Sequence, residues 1–168
     1  MSQDPPMDCH PKPLPQHDWL RRFVGQWTFE HECVMKPGDP PMKAIGRETI
    51  RAIGDLWIQI EGTGEMPGGG DMSYVCLLGY DPAKQRFVGS WVGSPMAFMF
   101  IYEGTMDADG VTLPLNTNGP DMARPGESAD YQDVQQLKDD NTRAMWSQMK
   151  MPDGSWNRFM TAEYRRVK

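Results

Sequence analysis

From Gly25 to the C-terminus, apolar and polar residues alternate in short runs, and turn-forming residues separate the runs. The first run is the cleanest. Trp27, Phe29, His31 and Cys33 fall on one face, and Gln26, Thr28, Glu30 and Glu32 on the other. A period of two is the signature of a strand with one buried face. Further runs follow at Lys43–Ile53, Leu56–Gly64, Ser73–Tyr80, Arg86–Val92, Met96–Thr105, Val111–Thr117, Ala129–Lys138, Thr142–Lys150 and Trp156–Arg165. Breaks such as Gly54-Asp55, Asp81-Pro82-Ala83-Lys84, Asp107-Ala108-Asp109-Gly110 and Pro152-Asp153-Gly154 lie between them. About ten evenly spaced short strands predict a barrel or a sandwich. Sequential hairpins favour an antiparallel up-and-down barrel, and closing the sheet removes the edges that these apolar strands would otherwise expose. The expected fold is all-β, with a short helix in front of the barrel.

That helix is predicted over Trp19–Phe23, with Asp18 as its N-cap and Trp19, Leu20, Phe23 and Val24 on one face. Residues 1–16 carry Pro5, Pro6, Pro11, Pro13 and Pro15 and read as a disordered tail; residues 17–168 read as one domain. The formal net charge of −6 comes without any basic block, so neither a nucleic acid nor an anionic membrane has a footprint to bind. No stretch is apolar enough for a membrane span, and the proline-rich start lacks the apolar core of a secretory signal. Cys9, Cys33 and Cys76 have no metal-like spacing, and reduced thiols in a cytoplasmic protein are the simplest reading; a Cys33–Cys76 bridge is the alternative.

Gly25-Gln26-Trp27 after a short helix resembles the start of the calycin superfamily, which holds the lipocalins and fatty-acid-binding proteins. More narrowly, His17-Asp18-Trp19-Leu20, Val24-Gly25-Gln26-Trp27, Gly64-Glu65-Met66-Pro67-Gly68-Gly69, Leu78-Gly79-Tyr80-Asp81-Pro82, Phe87-Val88-Gly89-Ser90-Trp91 and Phe159-Met160-Thr161-Ala162-Glu163-Tyr164-Arg165-Arg166 resemble a bacterial family, domain of unknown function 1579. The resemblance implies a lipocalin-like barrel and brings no catalytic residues. It also implies a last-strand arginine packed across Trp27, with Arg158 and Arg165 as the candidates.

The interior of such a barrel is the default site for a small apolar or amphipathic ligand. The expected lining is Trp27, Phe29, His31, Trp91, Phe100, Tyr102 and Arg158. No cofactor, metal ligand set or catalytic residue is assigned. Other readings stay open: an isomerase or hydrolase using His31 with a buried carboxylate (Glu61 and Glu103 being considered), a haem or metal carrier, or a filled barrel acting as an interaction module. Glu103 beside Arg158 would instead be a plain ion pair. An exposed aromatic strand face would suit a homodimer. Gly46, Gly62 and Gly89 are positions where a bulge would flip the inward set.

Overall fold

A computed structural model of the protein describes residues 9–168. Helix α1 (Pro15–Arg21) precedes ten strands: β1 (Gly25–Cys33), β2 (Met42–Ile53), β3 (Trp57–Glu65), β4 (Asp71–Asp81), β5 (Arg86–Gly93), β6 (Met96–Gly104), β7 (Thr112–Pro120), β8 (Ser128–Leu137), β9 (Thr142–Lys150) and β10 (Trp156–Arg166). Each strand pairs antiparallel with its sequence neighbour, and β1 pairs with β10 to close the barrel. Several turns are set by an aspartate that accepts backbone N–H groups ahead of it, as Asp81, Asp109 and Asp139 do.

The helix differs from expectation. It starts at Pro15, inside the segment read as tail, and its N-cap is Leu14 rather than Asp18. The Leu14 N–H donates to His17 Nδ1 at 2.9 Å, and His17 Nε2 donates to the Tyr80 carbonyl at 3.1 Å. His17, placed at the edge of the tail by sequence, is therefore a buried pin between α1 and β4. Expectations for the tail's first eight residues lie outside the described region.

The helix caps the end of the barrel where β1 begins. Trp27 is fully buried there, and its indole N–H donates to the Phe23 carbonyl at 2.8 Å. Trp19 and Phe23 pack edge to face at 4.8 Å, and Phe87 and Tyr80 extend the cluster. Gly25 has φ +138°, and a Cβ there would lie 2.5 Å from Arg166 Nη1. The position needs glycine on both counts. Arg166 in turn binds the carbonyls of Arg22, Val24 and Asp140, tying both chain ends of the barrel to one turn.

Inward glycines let rings lie flat across the neighbouring strand. The Phe29 ring covers Gly46, the Tyr74 ring covers Gly62, and the Phe100 ring covers Gly119. These glycines therefore mark close ring approach. The register shifts fall elsewhere, between Trp91 and Gly93 and between Arg158 and Met160. The second shift corrects the last strand: Arg158 and Arg165, on opposite faces by simple alternation, both point outward.

One seam is incomplete. β6 and β7 pair only through Glu103–Asn116 and Gly104–Leu115, at the capped end. From Met96 to Tyr102 β6 forms no ladder pair with β7, and the Phe100 ring lies against Gly119 and Tyr131.

Gly62→Ala tests the ring-on-glycine packing. The added Cβ would sit 2.0 Å from the Tyr74 ring, and the ring is held by its hydroxyl, so it cannot swing without losing that bond. The expected loss is about 2–3 kcal/mol in urea unfolding; an unchanged midpoint would show that the ring is not fixed.

Candidate functional site

Burial of the inward face divides the lumen in two. Near α1 it is solid: Trp27, Ile50, Ile58, Leu78, Phe87, Leu113, Leu115 and Leu137 are almost fully buried. Toward the opposite, uncapped end, the inward side chains of Tyr74, Trp91, Phe100, Met145 and Met160 keep part of their surface accessible. This half of the interior, called the open half below, is thus less completely buried than the capped half.

At the boundary lies a polar network. Arg143 projects in from β9 with its side chain 1% exposed, and Glu48 projects in from β2 with 4% exposed; the two form an ion pair. The guanidinium carbon lies 3.7 Å from the Tyr164 ring centre, 4.9 Å from that of Trp27 and 5.5 Å from that of Phe23. The second carboxylate oxygen of Glu48 accepts from the Tyr74 hydroxyl. Burial, reinforced by the Glu48 charge, pushes the Tyr74 and Tyr164 hydroxyls well above the ordinary tyrosine range, so both remain donors. Arg143 and Glu48 neutralise each other, and this cluster roofs the solid end.

A second inward carboxylate has no such partner. Asp133 on β8 accepts from the Tyr102 hydroxyl on β6 and from Ser147 Oγ on β9, the latter at 2.5 Å. Burial raises its carboxyl above the usual range, and the two hydroxyls offset only part of that rise. Cys76 on β4 lies close by, its thiol pushed up first by burial and then by the Glu48 and Asp133 charges. Above this group, rings form a chain across the open half: Tyr74 to Trp91 at 5.8 Å, Trp91 to Phe100 at 6.0 Å, and Phe100 to Tyr131 at 6.2 Å.

The expected lining is therefore partly assembled. Trp91 and Phe100 meet in the open half, and Tyr102 is inward and buried with its hydroxyl on Asp133. Trp27 belongs to the capped end, and Phe29 packs on Tyr164 at 5.0 Å. His31 is inward and buried, and its Nε2 lies 3.2 Å from the Glu65 carbonyl. A carbonyl only accepts, so this nitrogen carries the proton; Nδ1 faces Cys33 Sγ at 4.0 Å. The pairing of His31 with a buried carboxylate, which an enzyme of the expected kind needs, is not among these contacts.

Arg158 is a correction: the register shift puts it on the outer wall, exposed, 4.4 Å from the Trp146 ring centre. The arginine across Trp27 is neither Arg158 nor Arg165. Arg166 stacks on it at 4.2 Å, with Arg143 also against it. The carboxylates considered from sequence are outside as well; Glu61 pairs with Arg51, and Glu103 with Lys84 rather than Arg158. The inward carboxylates are Glu48 and Asp133. Each had a signal in its own strand, since Glu48 shares a period with Ile50, and Asp133 with Tyr131 and Leu137. Cys33 and Cys76 stand as separate thiols. Among the described residues no group of three or more His, Cys, Asp or Glu could hold a metal ion, and no helix is long and apolar enough to cross a membrane. A depression of about 1040 Å3 lies on the outer wall, where Thr28, Glu30, Arg47 and Arg165 line it.

The buried pair generates a prediction. Arg143→Met strands the Glu48 charge, and stability should fall by about 3–5 kcal/mol. Adding Glu48→Gln should recover much of that loss. Thermal or urea unfolding of the two variants checks this; a double variant no better than the single would show that stacking, not charge pairing, dominates.

The fold recurs in solved structures of low sequence identity. The S-type phycobiliprotein lyase CPES from Guillardia theta matches with a TM-score of 0.61 at 16% identity, covering 90% of this chain and 92% of that one. Rv2717c from M. tuberculosis matches with a TM-score of 0.64 at 14% identity, covering 94% of this chain and 100% of that one. EF1p2_mFAP2b, solved bound to DFHBI, matches with a TM-score of 0.50 at 10% identity, covering 90% and 99%. At such identities the likeness is one of fold: a lipocalin-like barrel. No curated protein matches the sequence. The pattern of one family matches residues 12–166, nearly the whole described chain, and the chain thereby belongs to DUF1579, a family of proteins of unknown function.

Proposed function

We propose that the barrel binds an apolar or amphipathic small molecule in the open half of its lumen, against Trp91, Phe100 and Tyr102. The observation that carries this reading is the partial accessibility of inward aromatic and methionine side chains, above a capped end that is packed solid. Aromatic rings supply large apolar area with few rotors to freeze, and methionine adapts to irregular shapes. The fold-level likeness to a barrel solved with DFHBI and to a phycobiliprotein lyase supports a lumen of this use, by analogy only. The proposal keeps the cytoplasmic setting, supported by Cys33 and Cys76 as unbridged thiols.

Titration with Nile red, an uncharged dye whose emission responds to apolar surroundings, tests the reading. Saturable binding is expected, with Trp91→Ala weakening it about tenfold through lost ring contact. Absence of saturable emission change, or binding unaltered by the substitution, would count against a lumenal site.

A second copy of the chain remains the partner proposed for the outer face of β4–β6, where Val75, Leu77, Val92, Met99 and Ile101 are exposed side by side. Sedimentation should then give a dimer mass that Ile101→Glu reduces to that of a monomer.

A further inference from the structure

The charges inside the lumen do not suit a fatty acid. An amphipathic carboxylate needs an available cation, and the inward cation Arg143 is committed to Glu48 and sealed under the Tyr164, Trp27 and Phe23 rings. What remains open is the opposite sign. Asp133 uses one acceptor site on each oxygen, for Tyr102 and Ser147. A carboxylate has about four such sites, so half its capacity is unspent. The residue also keeps part of its surface accessible, although it points into the barrel.

A second polar group points the same way. Thr117 on β7 alternates inward with Leu113 and Leu115, is 8% exposed, and has an Oγ1 that is buried without a hydrogen-bond partner. It pairs across the sheet with Tyr131, two residues from Asp133 on the same face. An unspent acceptor and an unspent hydroxyl thus occupy adjacent steps of one wall, with the Trp91, Phe100 and Tyr131 rings around the approach. Ring faces attract cations, and a chain with a net charge of −6 raises the local concentration of cations.

We propose that the lumenal ligand is a flat aromatic cation whose N–H group donates to Asp133 while Thr117 takes a second polar atom. This deepens the small-molecule reading above and rests on it. The groups that face Asp133 are Tyr102 from β6, Cys76 from β4, Ser147 from β9 and, on its own strand, Gln135; the nearest opposite charges, Arg143 and Glu48, cancel. Asp133 is therefore the group that changes charge within the site as pH moves through the acid range. Its raised pKa means that binding of a permanently charged cation should weaken on acidification before an ordinary surface aspartate would titrate.

The test uses the full chain and three tricyclic probes of one shape: 9-aminoacridine as the cation, anthracene-9-methanol as the neutral molecule and anthracene-9-carboxylate as the anion. The cation should bind about tenfold more tightly than the neutral probe, the worth of a charge-assisted hydrogen bond, and the anion more weakly than either. Asp133→Asn should erase the preference of the cation over the neutral probe and flatten the pH dependence. Thr117→Val serves as the second variant, and melting curves verify that both fold. Equal binding of all three probes, or a preference that survives Asp133→Asn, overturns the assignment and leaves the lumen as a plain apolar site. Failure of all three probes to bind overturns the small-molecule reading itself.

Discussion

Everything inside this barrel follows from the closure of its sheet between β1 and β10. Seven consecutive residue pairs, Trp27–Arg166 through Cys33–Met160, join the two ends of the chain. Closure pairs the two terminal strands and makes one face of every strand an interior. Polar groups on that face lose water and must find partners. The Arg143–Glu48–Tyr74 network answers most of that demand, with rings packed around the guanidinium and its Nε left without a hydrogen-bond partner. Trp27 lies against Arg143 and Arg166, so the residue that caps the barrel also links the interior charge to the staple that ties down the chain ends.

Closure also separates the work of the two ends. The helix-capped end holds nearly all the fully buried large side chains and carries the stability. The other end has the same inward alternation but bulkier rings spaced by glycines, and the β6–β7 seam there is unpaired. Phe100 is the hinge of this arrangement, because it bridges the seam to Gly119 and also lies in the aromatic chain above Asp133. A seam with two ladder pairs yields at lower cost than one held by a full ladder of backbone hydrogen bonds.

The strand pattern was legible because period two survives in single strands, and Trp27 correctly fixed the phase for Phe29 and His31. Arg158 was misplaced for a local reason: one extra residue between Arg158 and Met160 reverses the alternation, and no turn-forming residue marks it. The inward Glu48 and Asp133 were hidden by a different effect. Charged residues on strands usually face water, so Glu61 and Glu103 looked equally eligible, and only pairing across strands separates them. The partner of Glu48 lies 95 residues away, a relation that no short window contains. Asp18 failed as an N-cap because Pro15, with no N–H to lose, starts the helix four residues earlier and frees His17 to cap it.

The two inward carboxylates differ in what they do for folding. Glu48 forms a buried ion pair with Arg143. Asp133 has only hydroxyl donors, and its raised pKa means that the folded state holds its proton more tightly than the unfolded chain does. By linkage, the stability from this group is full below the unfolded pKa and falls as pH rises through the folded one. At neutral pH Asp133 therefore works against the fold, and an asparagine of the same shape would satisfy Tyr102 and Ser147 without the charge. A buried group that opposes folding is the pattern expected of a binding residue, where the missing charge partner arrives with the ligand.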